Sequence, residues 1–210
     1  MGQVLLVRHG QASWGAADYD VLSAAGEEQA AVLGRSLTGL APDVVVHGSL
    51  RRQRRTAEIA AAAAGWSEGL ALDDRWNEMD HVSVLAAQPK DFDGEPDRQQ
   101  FQTWFEAATS RWTSGDHDGD YAEPFPAFRE RVLAALGALA EVGTAVVVTS
   151  GGPISAVSST LLAAGTATHE RLAAVVVNGS VTRVVSGRRG LTLVSFNEHQ
   201  HLPADLVTYR

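Results

Sequence analysis

The sequence predicts an α/β protein, a three-layer α/β/α sandwich around a mainly parallel sheet. Three observations carry that expectation. Apolar runs at residues 4–7, 43–47 and 145–149 read as strands buried on both faces, the habit of a parallel sheet. Stretches of helical character stand between them. Each run ends in polar or glycine-rich residues: Arg8-His9-Gly10, Gly48-Ser49-Leu50-Arg51-Arg52 and Ser150-Gly151-Gly152-Pro153. In open α/β sheets the carboxyl ends of the strands are where ligands collect.

The elements follow in order. After the first strand, residues 11–22 form a loop. Ser23 is placed to cap a helix that runs to about residue 40, with Glu27 and Glu28 in its favourable first turn. Pro42 breaks the chain before the second strand, and an alanine-rich helix at 57–64 stops near Gly65. Residues 69–81 hold a short apolar piece and the segment Arg75-Trp76-Asn77-Glu78-Met79-Asp80-His81. A helical piece comes next, then a polar loop at 89–96. Phe101, Trp104, Phe105, Ala108 and Trp112 recur at helical spacing, a stripe suited to core or lid packing. Residues 114–121 read as an exposed loop, and 126–141 as a long amphipathic helix. The third buried strand precedes a helix from Ile154. Residues 173–177, 181–185 and 191–196 read as further strands, the first two joined by Asn178-Gly179, a strong hairpin signal. The whole chain, 1–210, reads as one domain, with a small helical and loop insertion at about 80–125 covering the site.

Composition narrows the function. With 45% apolar and 20% charged residues in 210, the chain can bury a sizeable core. It has no cysteine, which removes disulfides, thiolate metal sites and a cysteine nucleophile together. The first residues lack the basic region of a signal peptide, and Leu6 stands where a myristoylation motif needs Ser or Thr. No apolar run reaches membrane-spanning length. A soluble, cytoplasmic protein without a membrane partner is expected. A net charge of −8 argues against a nucleic-acid partner but not against small anions, because the field inside a cleft can oppose the global charge.

The trio Arg8-His9-Gly10 suits phosphoryl chemistry. A neutral imidazole can attack phosphorus and become a phosphohistidine. A guanidinium grips phosphoryl oxygens through bidentate, charge-assisted bonds, and a glycine lets the backbone approach where a Cβ would clash.

Taken together the motifs resemble the histidine phosphatase superfamily, the fold of the cofactor-dependent phosphoglycerate mutases. Arg8-His9-Gly10 matches its signature. Ser49-Leu50-Arg51-Arg52 before Thr56-Ala57 resembles its second arginine motif. Glu78 lies where the family keeps its proton donor, and residues 147–152 resemble its last motif, a strand followed by His-Gly-Gly. The resemblance covers nearly the whole chain and implies a phosphoglycerate mutase-like fold. It implies His9 as nucleophile, Arg8 and Arg52 as phosphate clamps and Glu78 as the acid that protonates the leaving oxygen. Gly10, Gln11, Ser13, Ser150 and Gly151 become phosphate- or substrate-binding candidates. No metal and no cofactor are called for, because two arginines neutralise the charge.

The sequence departs from the family where its second histidine aligns with Ser150, a neutral donor of shorter reach. His81 and His201 are the candidates to replace it. Gly15 stands where mutase-like members carry asparagine after the tryptophan matched by Trp14, and no basic cluster follows Glu78 to grip a second phosphate. The expectation is therefore a metal-independent phosphatase acting on a small phosphate ester. One alternative is a weakened member that binds a phosphorylated ligand or a protein partner; a second is a mutase. Asp80 and Asp18 are runners-up for the acid. Arg51, Arg54 and Arg55 read as a solvated helix face or ion pairs, and His199 and His201 as structural or pocket-rim residues rather than metal ligands.

Overall fold

The computed structural model describes residues 2–13, 20–67 and 69–209. Its strands are β1 (Gly2–Arg8), β2 (Val44–His47), β3 (Leu70–Leu72), β4 (Thr144–Thr149), β5 (Val181–Gly187) and β6 (Gly190–Glu198). Its helices are α1 (Ala24–Ser36), α2 (Arg51–Ala64), α3 (His81–Ala86), α4 (Arg98–Ser114), α5 (Phe125–Ala138), α6 (Gly151–Leu161) and α7 (Thr166–Val175). Among the described residues the strands form one sheet of order β3-β2-β4-β1-β5-β6. The four strands from β3 to β1 run parallel, while β5 and β6 are antiparallel additions. The sheet is thus mixed, its parallel part lying where the buried runs were read.

Alternation along the strands creates two cores. Leu5, Val7, Val45, Val146 and Val148 pack against Leu33 and Leu37 of the α1 region and Ala57 and Ala60 of α2. Val4, Leu6, Val46, Ala145 and Val147 face the other way, onto Phe128 and Val132 of α5 and Ile154 and Val157 of α6. A helix layer on each face makes the three-layer sandwich. Ala108 and Trp112 of the aromatic stripe are buried, whereas Phe101, Trp104 and Phe105 are packed at the margin. No helix among the described residues is long and apolar enough to cross a membrane.

Several boundaries differ from expectation, each for a long-range reason. Helix α2 starts at Arg51 rather than Ala57. Its N-cap Leu50 offers no side chain, but Asp20 accepts from the Arg51 backbone N–H at 2.8 Å and serves a donor the helix leaves unpaired. Helix α6 starts at Gly151 rather than Ile154, with the Gly152 N–H received by Glu78 at 3.0 Å. Helices α1 and α5 stop short of the expected ends, at Ser36 and Ala138.

The expected strand at 173–177 and its hairpin at Asn178-Gly179 are corrected. Residues 173–175 are the last turn of α7, whose terminal carbonyl at Val175 accepts from Asn197 of β6. A side chain far along the chain therefore overrides the valine-rich β propensity. Gly179, at φ +75°, turns the chain into β5 with its N–H on the Arg8 carbonyl. The hairpin joins β5 to β6 instead, through Arg188-Arg189 with Gly190 at φ +92°.

Candidate active site

Parallel registry brings three strand ends level. Arg8 pairs with Thr149, and the His9 N–H donates to the Thr149 carbonyl at 2.9 Å, so Ser150 continues abreast of His9. Gly10 then meets the start of α1. A Cβ there would lie 2.2 Å from the Gly26 carbonyl oxygen, and one on Gly26 would lie 2.2 Å from that of Gln11. Two glycines let the loop touch the helix backbone.

His9 is 5% exposed. Its Nδ1 faces the Gly10 carbonyl at 2.7 Å, and its Nε2 faces Nε of Arg52 at 3.1 Å. A carbonyl only accepts and a guanidinium only donates, so the proton resides on Nδ1 and the lone pair on Nε2. Burial first, then the charges of Arg52 and Arg8, holds this imidazole well below its ordinary value of 6.5; the Gly10 bond opposes them. The result is a neutral base with its nucleophilic atom turned toward a cation.

Arg52, on the first turn of α2, is 6% exposed and held by Asp20 at 2.7 Å. Thr56, one turn on, receives the Gly10 N–H at 3.0 Å. Arg8 donates through Nη1 to the carbonyls of Val176 and, at 2.9 Å, Tyr209. Its Nε lies 3.9 Å from where a Cβ on Gly151 would stand, so the guanidinium flanks the start of α6. Asn178 holds the strand end from behind, its Nδ2 donating to the His9 carbonyl at 3.2 Å.

Glu78 closes the other side. Its carboxyl oxygens accept from the N–H groups of Gly152 at 3.0 Å and Met79 at 3.1 Å. The preceding segment is clamped by Arg131 of α5, which donates to the carbonyls of Arg75 and Asn77 at 2.8 and 2.9 Å and is itself paired with Glu123. Ser150 is buried, and its Oγ accepts from Nε2 of Gln53 at 2.8 Å.

The remaining candidates fall elsewhere. The Gln11 carboxamide oxygen accepts from the Ser23 hydroxyl at 2.9 Å, which ties it to the α1 cap, and the Ser13 backbone N–H donates to the Val21 carbonyl at 2.8 Å. Asp80 caps α3, accepting from Ser83 Oγ at 2.6 Å and from two backbone N–H groups; the Ser83 hydroxyl foremost holds its carboxyl below the usual value. Asp18, with Trp14 and Gly15, lies outside the described residues. His201 faces the Gly179 carbonyl at 3.1 Å, His199 that of Asn197 at 2.6 Å, and His81 opens α3. The side chain found against Ser150 is Gln53, not a histidine. Arg54 and Arg55 pair with Glu58 and Glu27, as a solvated helix face should. Sequence reasoning missed Asp20, Gln53 and Asn178. Only Gln53 carried a signal, as a polar residue one position after Arg52.

This geometry can be set beside known proteins. The family model described as histidine phosphatase superfamily (branch 1) matches residues 4–199. The chain belongs to the histidine phosphatase superfamily. Within it, the chain is 41% identical over 91 residues to a protein named probable phosphoglycerate mutase GpmB from Erwinia tasmaniensis, covering 40% of this chain and 41% of that one. A protein of the same name from Citrobacter koseri is 34% identical over 105 residues, 44% of this chain and 48% of that one. The matched stretch spans less than half the length of these curated relatives. Among solved structures, phosphoserine phosphatase from Entamoeba histolytica, a mutant in complex with phosphoserine, superposes with a TM-score of 0.71 at 21% identity, covering 97% of this chain and 100% of that one. Phosphoglycerate mutase from Bacillus anthracis gives 0.67 at 19% identity over 95% and 94%. At such identities the structures establish the shared phosphoglycerate mutase-like fold.

Proposed function

We propose that the protein is a metal-independent phosphatase that hydrolyses a small phosphate monoester through a phosphohistidine on His9. The observation that carries this is the pair of contacts on the His9 ring, Nδ1 to the Gly10 carbonyl and Nε2 to Arg52, which assigns the proton to Nδ1 and leaves the Nε2 lone pair for attack. A phosphoryl group attacked in line at Nε2 exchanges that contact for contacts of its oxygens with the guanidinium groups of Arg52 and Arg8, which neutralise charge as it spreads. Glu78 gives its proton to the leaving oxygen. It then takes one from the water that attacks phosphorus and releases His9. Gly10, Gly151 and Ser150 border the phosphoryl group, with Gln11 and Ser13 behind the loop. The segment 80–125, with α3 and α4, acts as an insertion over the site that selects the ester. The E. histolytica phosphatase, solved with phosphoserine, supports a small phosphate ester as substrate. The protein would act in the cytoplasm, as its sequence leads one to expect.

The test is steady-state hydrolysis of p-nitrophenyl phosphate with and without a chelator. Chelator-insensitive turnover that disappears in His9→Ala supports the proposal. One feature favours a second reading: the motif resemblance aligns the family's second histidine with Ser150, and a weakened member would bind inorganic phosphate without turning the ester over. The relatives named phosphoglycerate mutase support a third, which would show as transfer to an added hydroxyl acceptor in preference to water.

A further inference from the structure

Gln53 is buried to 0% exposure beside the catalytic Arg52, yet nothing in the mechanism above uses it. Its Nε2 donates to the Trp76 carbonyl at 3.2 Å and to Ser150 Oγ at 2.8 Å. The Trp76 carbonyl, which also accepts from Thr149 Oγ1 at 2.6 Å, fixes which end of the amide is nitrogen, since a flipped amide would set oxygen against oxygen. Oε1 is left buried with no donor among the described residues. An amide oxygen buried unpaired is retained in few places, functional sites among them. The chain also makes room for it: a Cβ on Gly48 would lie 2.1 Å from Oε1.

The arrangement dictates what Ser150 does. Its oxygen already accepts, so its own proton must go to another acceptor, and among the described residues the hydroxyl donates to none. It does not cap α6, although Ser150 is the N-cap residue. Ser150 directly follows Thr149, which pairs with Arg8 and accepts the His9 N–H, and it stands two residues before Gly152, which holds Glu78.

We propose that Gln53 is a positioning residue that turns the Ser150 hydroxyl into an obligate donor to the phosphoryl oxygens, so that the buried Gln53–Ser150 pair supplies the contact a histidine makes elsewhere in the family. The inference rests on the phosphatase reading. It gives the site a neutral donor whose contribution is independent of pH. It also implies that a histidine at 150 would compete with the Gln53 carboxamide for space, because an imidazole is longer than a hydroxymethyl group and Nε2 of Gln53 already lies 2.8 Å from Oγ.

The experiment compares Gln53→Met, Ser150→Ala and their combination in p-nitrophenyl phosphate hydrolysis, in affinity for inorganic phosphate and in thermal unfolding. Ser150→Ala should lower kcat/KM on the order of 10²-fold and Gln53→Met about tenfold or more. The double variant should be no worse than Ser150→Ala, because the two act as one unit. The Gln53→Met loss should be the same from pH 6 to pH 8. Gln53→Ala combined with Ser150→His should outperform Ser150→His alone, since only the first has room for the ring. Losses that multiply, or a Gln53→Met variant that unfolds at lower temperature yet keeps its kcat/KM, would overturn the proposal while leaving the phosphatase standing. A wild-type protein without turnover, whose phosphate affinity falls equally in both single variants and no further in the double, would retain the pair and remove the hydrolytic reading.

Discussion

Replacing Gly152 by alanine displaces one functional group and little else. A Cβ at 152 would stand 2.0 Å from Glu78 Oε1 and 3.0 Å from its Cδ. Carbon–oxygen contacts settle at about 3.3–3.6 Å, so the carboxylate must retreat by more than ~1 Å. The atom that yields is the end of a flexible side chain, so the fold survives, and an alanine in a helix's first turn is itself tolerated. What is lost is the 3.0 Å bond from the Gly152 N–H and with it the placement of the acid. A misplacement of that size costs about 10²-fold in rate, or ~2.7 kcal/mol of barrier. The assay is hydrolysis of an alkyl phosphate beside p-nitrophenyl phosphate, with unfolding followed by circular dichroism. The alkyl ester, whose leaving oxygen needs the proton, should lose about 10²-fold in kcat, and the aryl ester distinctly less. Gly10→Ala provides the contrast, because its Cβ would meet the Gly26 backbone carbonyl and must destabilise the fold. A folded Gly152→Ala protein that hydrolyses the alkyl ester at the wild-type rate would refute Glu78 as the proton donor.

Asp20→Ala removes both the partner of Arg52 and the acceptor at the start of α2. Stability should fall by about 1 kcal/mol, as for a lost N-cap, and phosphate affinity should fall as well, read by titration calorimetry. Burial foremost lowers His169 from 6.5 to about 4. Since the unfolded chain binds that proton more readily, stability present above pH 6.5 is lost as pH falls from there through about 4. The shift corresponds to about 3 kcal/mol at most, and His169→Phe should flatten urea-unfolding stability over that window. His9 should remain neutral below pH 6.5, with nitrogen-15 shifts showing a protonated Nδ1 and a bare Nε2. A His9 resonance that titrates at 6.5 would contradict the geometry.

Much of this was legible in the chain because buried parallel strands declare themselves. The runs in β1, β2 and β4 needed no tertiary information, and their ends carried Arg8, His9, Arg52 and Ser150 to one edge. The errors arose where backbone groups are satisfied from far away. Helices α2 and α6 begin early because Asp20 receives the first N–H of α2 and Glu78 the second of α6, and α7 runs through a valine-rich stretch because Asn197 holds its end. Asn178-Gly179 carries a strong hairpin signal, yet Asn178 is bonded to the His9 carbonyl and Thr208, and the turn packs onto the end of β1. The partner of Ser150 stayed hidden for the same reason, since Gln53 reaches it only once α2 and β4 are packed together.

The central claim is that His9 carries the phosphoryl group, and trapping the phosphoenzyme tests it most directly. The protein is incubated with a reactive phosphoryl donor such as p-nitrophenyl phosphate, quenched, and weighed intact by mass spectrometry. The account predicts an acid-labile adduct of one phosphoryl group that maps to His9, disappears in His9→Ala and turns over in water. A protein that hydrolyses the donor without such an adduct, or carries the phosphate on another residue, would contradict it.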